Sequence, residues 1–86
     1  MSDRLLNIQV QLFAVARQLA GRETIAVSLA APATVGQLRQ ALGEQFPALA
    51  PVLPHVMFAV NAEYADDQAV IPPGAQVACI PPVSGG

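Results

Sequence analysis

Few side chains in this sequence could do chemistry, and each is poorly placed for it. His55 stands between Pro54 and Val56, with no serine, cysteine or acid at a spacing that would make it a general base. Cys79 lies inside an apolar run, and nothing beside it in sequence would lower its pKa, so an inert buried thiol is expected. Asp66 and Asp67 are adjacent acids in a loop, a pattern that usually marks solvated turn residues rather than a metal or acid–base site. Gly21-Arg22 lacks the further glycines of a phosphate-binding loop. The remaining candidate is the end of the chain, Pro81-Pro82-Val83-Ser84-Gly85-Gly86. Two prolines stiffen an extended exit, and two glycines then leave a slim tail that can thread a channel too narrow for a Cβ. The Gly86 carboxylate is the one reactive group that needs no side chain. A plain frayed end would look the same in isolation.

Composition narrows the setting. Eighty-six residues suffice for one small domain. Hydrophobic residues make up 53% and charged residues 12%, the opposite of a disordered composition. There is no lysine, and Arg4, Arg17, Arg22 and Arg39 are scattered, so no basic stripe for nucleic acid is expected. One cysteine and one histidine cannot supply four zinc ligands, and a single cysteine cannot close an internal disulfide. The uncharged stretches 45–62 and 68–86 are interrupted by prolines, which rules against a spanning helix. A cytoplasmic location is expected, without nucleic acid, membrane or metal.

The elements that must hold the tail follow from periodicity. Ile8, Val10 and Leu12 alternate with Asn7, Gln9 and Gln11, predicting a half-buried strand. Val15 and Leu19, four apart, predict a short helix over 14–20 that ends at Gly21. Ile25, Val27 and Leu29 predict a second strand, close enough to pair antiparallel with the first. Thr34 is a good N-cap for a helix whose apolar residues are Val35, Leu38, Ala41, Leu42 and Phe46, with Arg39, Gln40 and Glu44 on the other side. Pro47 stops it, and 47–54 reads as irregular chain or a single helical turn. Val56–Val60 is an apolar strand, Asn61-Ala62 a turn, Glu63-Tyr64 a short return strand, and Val77–Ile80 a last, central strand. The order predicts an α+β domain of ubiquitin-like β-grasp type, a mixed sheet packed on one main helix over residues 1–81, with 82–86 a flexible C-terminal tail.

Three segments carry a family resemblance. The ending Pro81-Pro82-Val83-Ser84-Gly85-Gly86, the stretch Leu12-Phe13-Ala14-x-x-Arg17-x-Leu19-x-Gly21, and Val60-Asn61-x-Glu63-Tyr64 resemble the small, sulfur-carrying subunit of molybdopterin synthase. The resemblance spans nearly the whole chain. It implies that Gly86 is activated by an adenylating, E1-like partner that consumes ATP, and that a sulfur donor system converts the adenylate to a thiocarboxylate. The tail, Pro82, Val83, Ser84 and Gly85, would then thread the active site of the large subunit, where two carriers in turn supply the dithiolene sulfurs of the molybdenum cofactor. The carrier itself would hold no cofactor and no catalytic side chain. The missing lysines would also leave no ε-amine for its own activated end to acylate.

Phe13 has the outward parity of Asn7, Gln9 and Gln11, and Ile80 points outward if Val77 and Cys79 face the core. With Tyr64 these residues could form an exposed apolar patch, and by resemblance they match positions that contact the large subunit. Phe13 could equally close the core at the strand–helix junction. Two features depart from the family. The loop 72–76 lacks the usual acids, and Cys79 and Ile80 stand where aromatics are common. Alternative readings are a sulfur carrier for thiamine or cysteine synthesis, which generally lacks the Pro-Pro-Val-Ser before Gly-Gly, a ubiquitin-like modifier of lysines, and an interaction domain with an idle tail.

Overall fold

The computed structural model describes residues 5–82. Strand β1 is Leu5–Leu12, helix α1 Ala14–Ala20, strand β2 Thr24–Ala30, helix α2 Val35–Gln45, strand β3 Met57–Val60, strand β4 Glu63–Ala65 and strand β5 Gln76–Ile80. Two 3-10 turns, Pro47–Leu49 and Leu53–His55, fill the proline-rich connection. The sheet order is β2-β1-β5-β3-β4, which puts the last strand in the centre as its uncharged sequence predicts. β1 runs antiparallel to β2 and parallel to β5, so the sheet is mixed.

The alternation in β1 and β2 sorts side chains as expected. Ile8, Val10, Leu12, Ile25 and Val27 are buried beneath α2, together with Val77 and Cys79 of β5 and Phe58 of β3. From α2 they meet Val35, Leu38, Ala41 and Leu42. Removing one of these large side chains would leave a void; a buried Leu-to-Ala change costs about 2–5 kcal/mol. The opposite face of the sheet carries Asn7, Gln9 and Gln11 in solvent.

Local sequence sets the helix ends. Thr34 Oγ1 accepts from the Gln37 backbone N–H at 3.2 Å, and Gln37 Oε1 accepts from the Thr34 N–H at 2.9 Å, a reciprocal capping box. Gly21, at φ 71°, closes α1 by donating its N–H to the Arg17 carbonyl at 2.9 Å. Within α1 the buried residue is Ala16, whereas the apolar pair Val15 and Leu19 is largely in solvent. The helix lies against β5 and the first 3-10 turn, and at the face turned inward the chain supplies only the methyl groups of Ala16 and Ala20.

The α2 face opposite the core is less simple than its polarity suggests. Arg39, expected on the solvent side, reaches across to donate from Nη1 to the carbonyls of Leu53 and Val56, the latter at 2.9 Å. Its Nη2 meets Asp67 Oδ1 at 2.7 Å, and the guanidinium carbon lies 5.1 Å from the Phe58 ring centroid. The Nε is buried without a partner among the described residues, so the two terminal nitrogens and the ring carry the contact. The loop 66–71 is therefore strapped down rather than free. The Asp67 carbonyl accepts from Gly36 at 2.9 Å, Val35 donates to Ala69 at 3.0 Å, and Ile71 donates to Ala33 at 2.8 Å. A Cβ on Gly36 would sit 3.2 Å from the Asp67 carbonyl oxygen, which is why the helix can approach the loop so closely. Asp66 caps its own turn, its Oδ1 accepting from the Gln68 N–H at 3.0 Å.

Candidate functional site

The ladder around β5 assembles the site. Phe13 remains extended, at φ −122° and ψ 154°, and donates its N–H to the Cys79 carbonyl at 3.3 Å. Since Leu12 pairs with Cys79 and both face the core, Phe13 follows on the outer face beside Ile80. Ile80 stands opposite Met57 across the β3–β5 ladder. One step along, Ala78 stands opposite Ala59, and Ala59 opposite Tyr64. Residues directly opposite share a face, so Phe13, Ile80, Met57, Ala78, Ala59 and Tyr64 lie on one continuous outer surface.

Phe13 is 40% exposed, Met57 50% and Tyr64 68%, so Phe13 does not close the core. The two alanines lower the middle of the surface. There a depression of about 200 Å³ is lined by Gln11, Ala59, Ala62, Gln76, Val77 and Ala78. Sequence reasoning had Phe13, Ile80 and Tyr64 but not Met57. An unbroken apolar strand such as 56–60 shows no parity, and only the pairing with Ile80 reveals which side Met57 takes.

This surface adjoins the exit of the central strand. β5 ends at Ile80, Pro81 is buried, and Pro82 emerges exposed. Val83, Ser84, Gly85 and Gly86 lie outside the described residues. The turn joining β3 to β4 is held from the same strand: Asn61 donates its N–H to the Gln76 carbonyl at 2.7 Å, and its Oδ1 accepts from the Gln76 N–H at 3.0 Å. Tyr64 is thereby tied to β5.

The internal candidates are spent on structure or left in solvent. Cys79 is wholly buried, and burial pushes its thiol up to about 11 against a smaller opposing pull from Arg39. Asp67 is occupied with Arg39. His55 ends the second 3-10 turn, exposed.

The fold and this surface define a class: a β-grasp domain with a mixed five-stranded sheet, whose bare outer face borders the point where the C-terminal segment leaves β5. Within that class the chain belongs to the ThiS family, whose model matches residues 10–86. It is similar to the molybdopterin synthase sulfur carrier subunit of Arabidopsis thaliana, 36% identical over 94% of this chain and 84% of the relative. Among solved structures it resembles the H. volcanii small archaeal modifier protein 1, at 30% identity and a TM-score of 0.81, covering 91% of this chain and 99% of the other. A more distant fold match, at 21% identity and TM-score 0.67, covers 94% of this chain and 100% of a chain in the complex of subunits 1 and 2 of the molybdopterin-converting factor from Helicobacter pylori. Among the described residues no helix is long and apolar enough to cross a membrane.

Proposed function

We propose that the protein is the sulfur-carrier small subunit of a molybdopterin synthase, with Gly86 as its reactive residue. The observation that carries this reading is the similarity to a molybdopterin synthase sulfur carrier subunit over nearly the full chain, joined to an ending in Gly85-Gly86. An α-carboxylate is ionised at neutral pH and a poor electrophile. In the activating partner, the Gly86 carboxylate attacks the α-phosphorus of ATP and pyrophosphate leaves. A sulfur donor then delivers sulfide to the acyl carbon and AMP leaves, giving the thiocarboxylate. Two easier substitutions replace one difficult one.

The carrier contributes shape. Pro82, Val83, Ser84 and Gly85 pass the end into the large subunit, and Phe13, Tyr64 and Ile80, now with Met57, form the docking surface. Support for docking comes from the exposure of Phe13, Met57 and Tyr64 and from the place of Ile80, opposite Met57, at the end of β5. Nothing in this scheme asks the carrier to bind a cofactor, and it acts in the cytosol with its synthase partner. Reconstitution tests it. The chain, incubated with an adenylating enzyme, ATP and a sulfur source, should acquire one sulfur in place of oxygen at Gly86 and then support dithiolene formation with the large subunit.

Similarity to a small archaeal modifier protein favours a second reading, conjugation of Gly86 to protein lysines. Isopeptide-linked Gly86 on cellular proteins, in place of a thiocarboxylate, would select it.

A further inference from the structure

The strand β2 forms one edge of the sheet, and among the described residues nothing pairs with its outer side. Leu12 donates its N–H to the Glu23 carbonyl at 2.8 Å, so this opposed pair is a hydrogen-bonded one. Hydrogen-bonded pairs alternate in an antiparallel ladder, so in the β1–β2 register Ile25, Val27 and Leu29 also direct their N–H and C=O groups at β1. Thr24, Ala26, Ser28 and Ala30 therefore aim theirs away from the sheet, and all four residues are exposed.

Native proteins usually blunt such an edge with lysine, proline, a bulge, an inward-pointing charge or a covering element. Among the described residues β2 has none of these: its sequence is Thr-Ile-Ala-Val-Ser-Leu-Ala, and it pairs with β1 without interruption. Helix α2 does not cover it. It packs on the core-side face of β2, and beside the edge a depression of about 280 Å³ lined by Leu29, Ala30, Gln37, Gln40, Ala41 and Glu44 opens between them. The other sheet edge, β4, has only three residues and begins with Glu63.

We propose that β2 is a self-association edge, pairing antiparallel with β2 of a second copy of this chain about a two-fold axis at Val27. The occupant is a second copy because the edge complements itself. In that register Ala26 faces Ser28 of the other copy and Thr24 faces its Ala30, so all four open residues meet open residues as hydrogen-bonded pairs. Ile25 faces Leu29 and Val27 faces Val27. Every side chain across the seam is uncharged, and Glu23 falls opposite Ala31, so no like charges meet. The result is one continuous ten-stranded sheet. β1 separates the seam from β5, so Met57, Ile80 and Pro82 stay accessible and the pairing is independent of the sulfur-carrier reading.

Sedimentation of the full chain across a concentration series, with amide hydrogen exchange at the lowest and highest concentrations, tests this. The expected result is a shift from one to two chain masses, accompanied by concentration-dependent protection of the Thr24, Ala26, Ser28 and Ala30 amides. The double variant Ala26→Lys/Ser28→Lys puts lysine against lysine twice and should weaken association about tenfold or more. Ala26→Lys/Ser28→Glu pairs opposite charges and should restore it. Both variants alter only exposed side chains, and an unchanged melting temperature at the lowest concentration, where the chain is monomeric, shows that the monomer is intact. A monomer at every concentration, with those four amides unprotected throughout, overturns the proposal. So does a monomer whose edge becomes protected only on adding an extended peptide from another protein, or a dimer indifferent to the lysine pair.

Discussion

Met57 and Ile80 face each other across the β3–β5 ladder, on the side of the sheet away from the core and next to the strand end that releases the C-terminal segment. Met57 is half exposed, so the pair presents apolar area to solvent with no core role that would account for it. If it anchors the large subunit, Ile80→Asp and Met57→Asp should each weaken the complex by about 2 kcal/mol or more while leaving the melt nearly unchanged. Calorimetric titration of the large subunit with each variant, beside a thermal scan, separates the two effects.

The half-buried site around Arg39 predicts the reverse pattern. Arg39→Met removes the donors to the Leu53 and Val56 carbonyls and the contact over Phe58, and should cost about 2–3 kcal/mol of stability by urea denaturation. Arg39→Lys should recover little of it, because a single ammonium cannot span the Leu53, Val56 and Asp67 acceptors. Asp67→Asn should cost less than about 1 kcal/mol, since that carboxylate is half in water.

This cluster marks where the sequence stops being legible. Alternation in β1 and β2, the Thr34 cap and Gly21 can be read locally, because each depends on neighbours within a few residues, and the central place of β5 shows in its own uncharged sequence. Arg39 finds its partners 14, 17 and 28 residues away, so helical periodicity assigns it to solvent. Ala16 replaces Val15 and Leu19 at the α1 interface for a related reason: apolarity says what can be buried, and the packing distance decides what fits. Of the candidate site, Phe13, Tyr64 and Ile80 were accessible from strand parity and resemblance. Met57 needed the register.

The Asn61-Ala62 turn offers a gain in stability. Both residues have positive φ, 51° and 69°, the conformation of a two-residue hairpin turn that favours Asn-Gly. Alanine carries a Cβ penalty there of roughly 1 kcal/mol. Ala62→Gly should therefore raise the melting temperature by a few degrees, with Asn61 still holding Gln76. A lower melting temperature would show that the loss of unfolded-chain restriction dominates.

Cys79 should be silent to thiol reagents in the native protein at pH 7 to 8, and should react fully in denaturant. Burial pushes its pKa up to about 11, above the ordinary 9.0 of a free thiol, so the native state holds the proton more tightly than the unfolded one. Stability from this group is present below about pH 9 and falls as pH rises from 9 toward 11. Cys79→Ala should flatten that slope, measured by urea midpoints across the range.

The lysine-free composition predicts that the activated carrier does not modify itself through a side chain. Arg17→Lys keeps the charge and places an ε-amine on α1, which packs beside β5. Incubated with the adenylating partner and ATP, this variant should form a dehydrated self-adduct at several times the wild-type level, seen by intact mass. No increase would mean that the absence of lysine has no protective role.

Whether Gly86 carries sulfur for the molybdenum cofactor is decided by intact-mass measurement of the chain recovered from its native host. A fraction in which one terminal oxygen is replaced by sulfur is expected. Deleting Gly86 should abolish both that species and cofactor synthesis. Cofactor synthesis that continues undiminished without Gly86 would exclude a sulfur-carrying role for this residue.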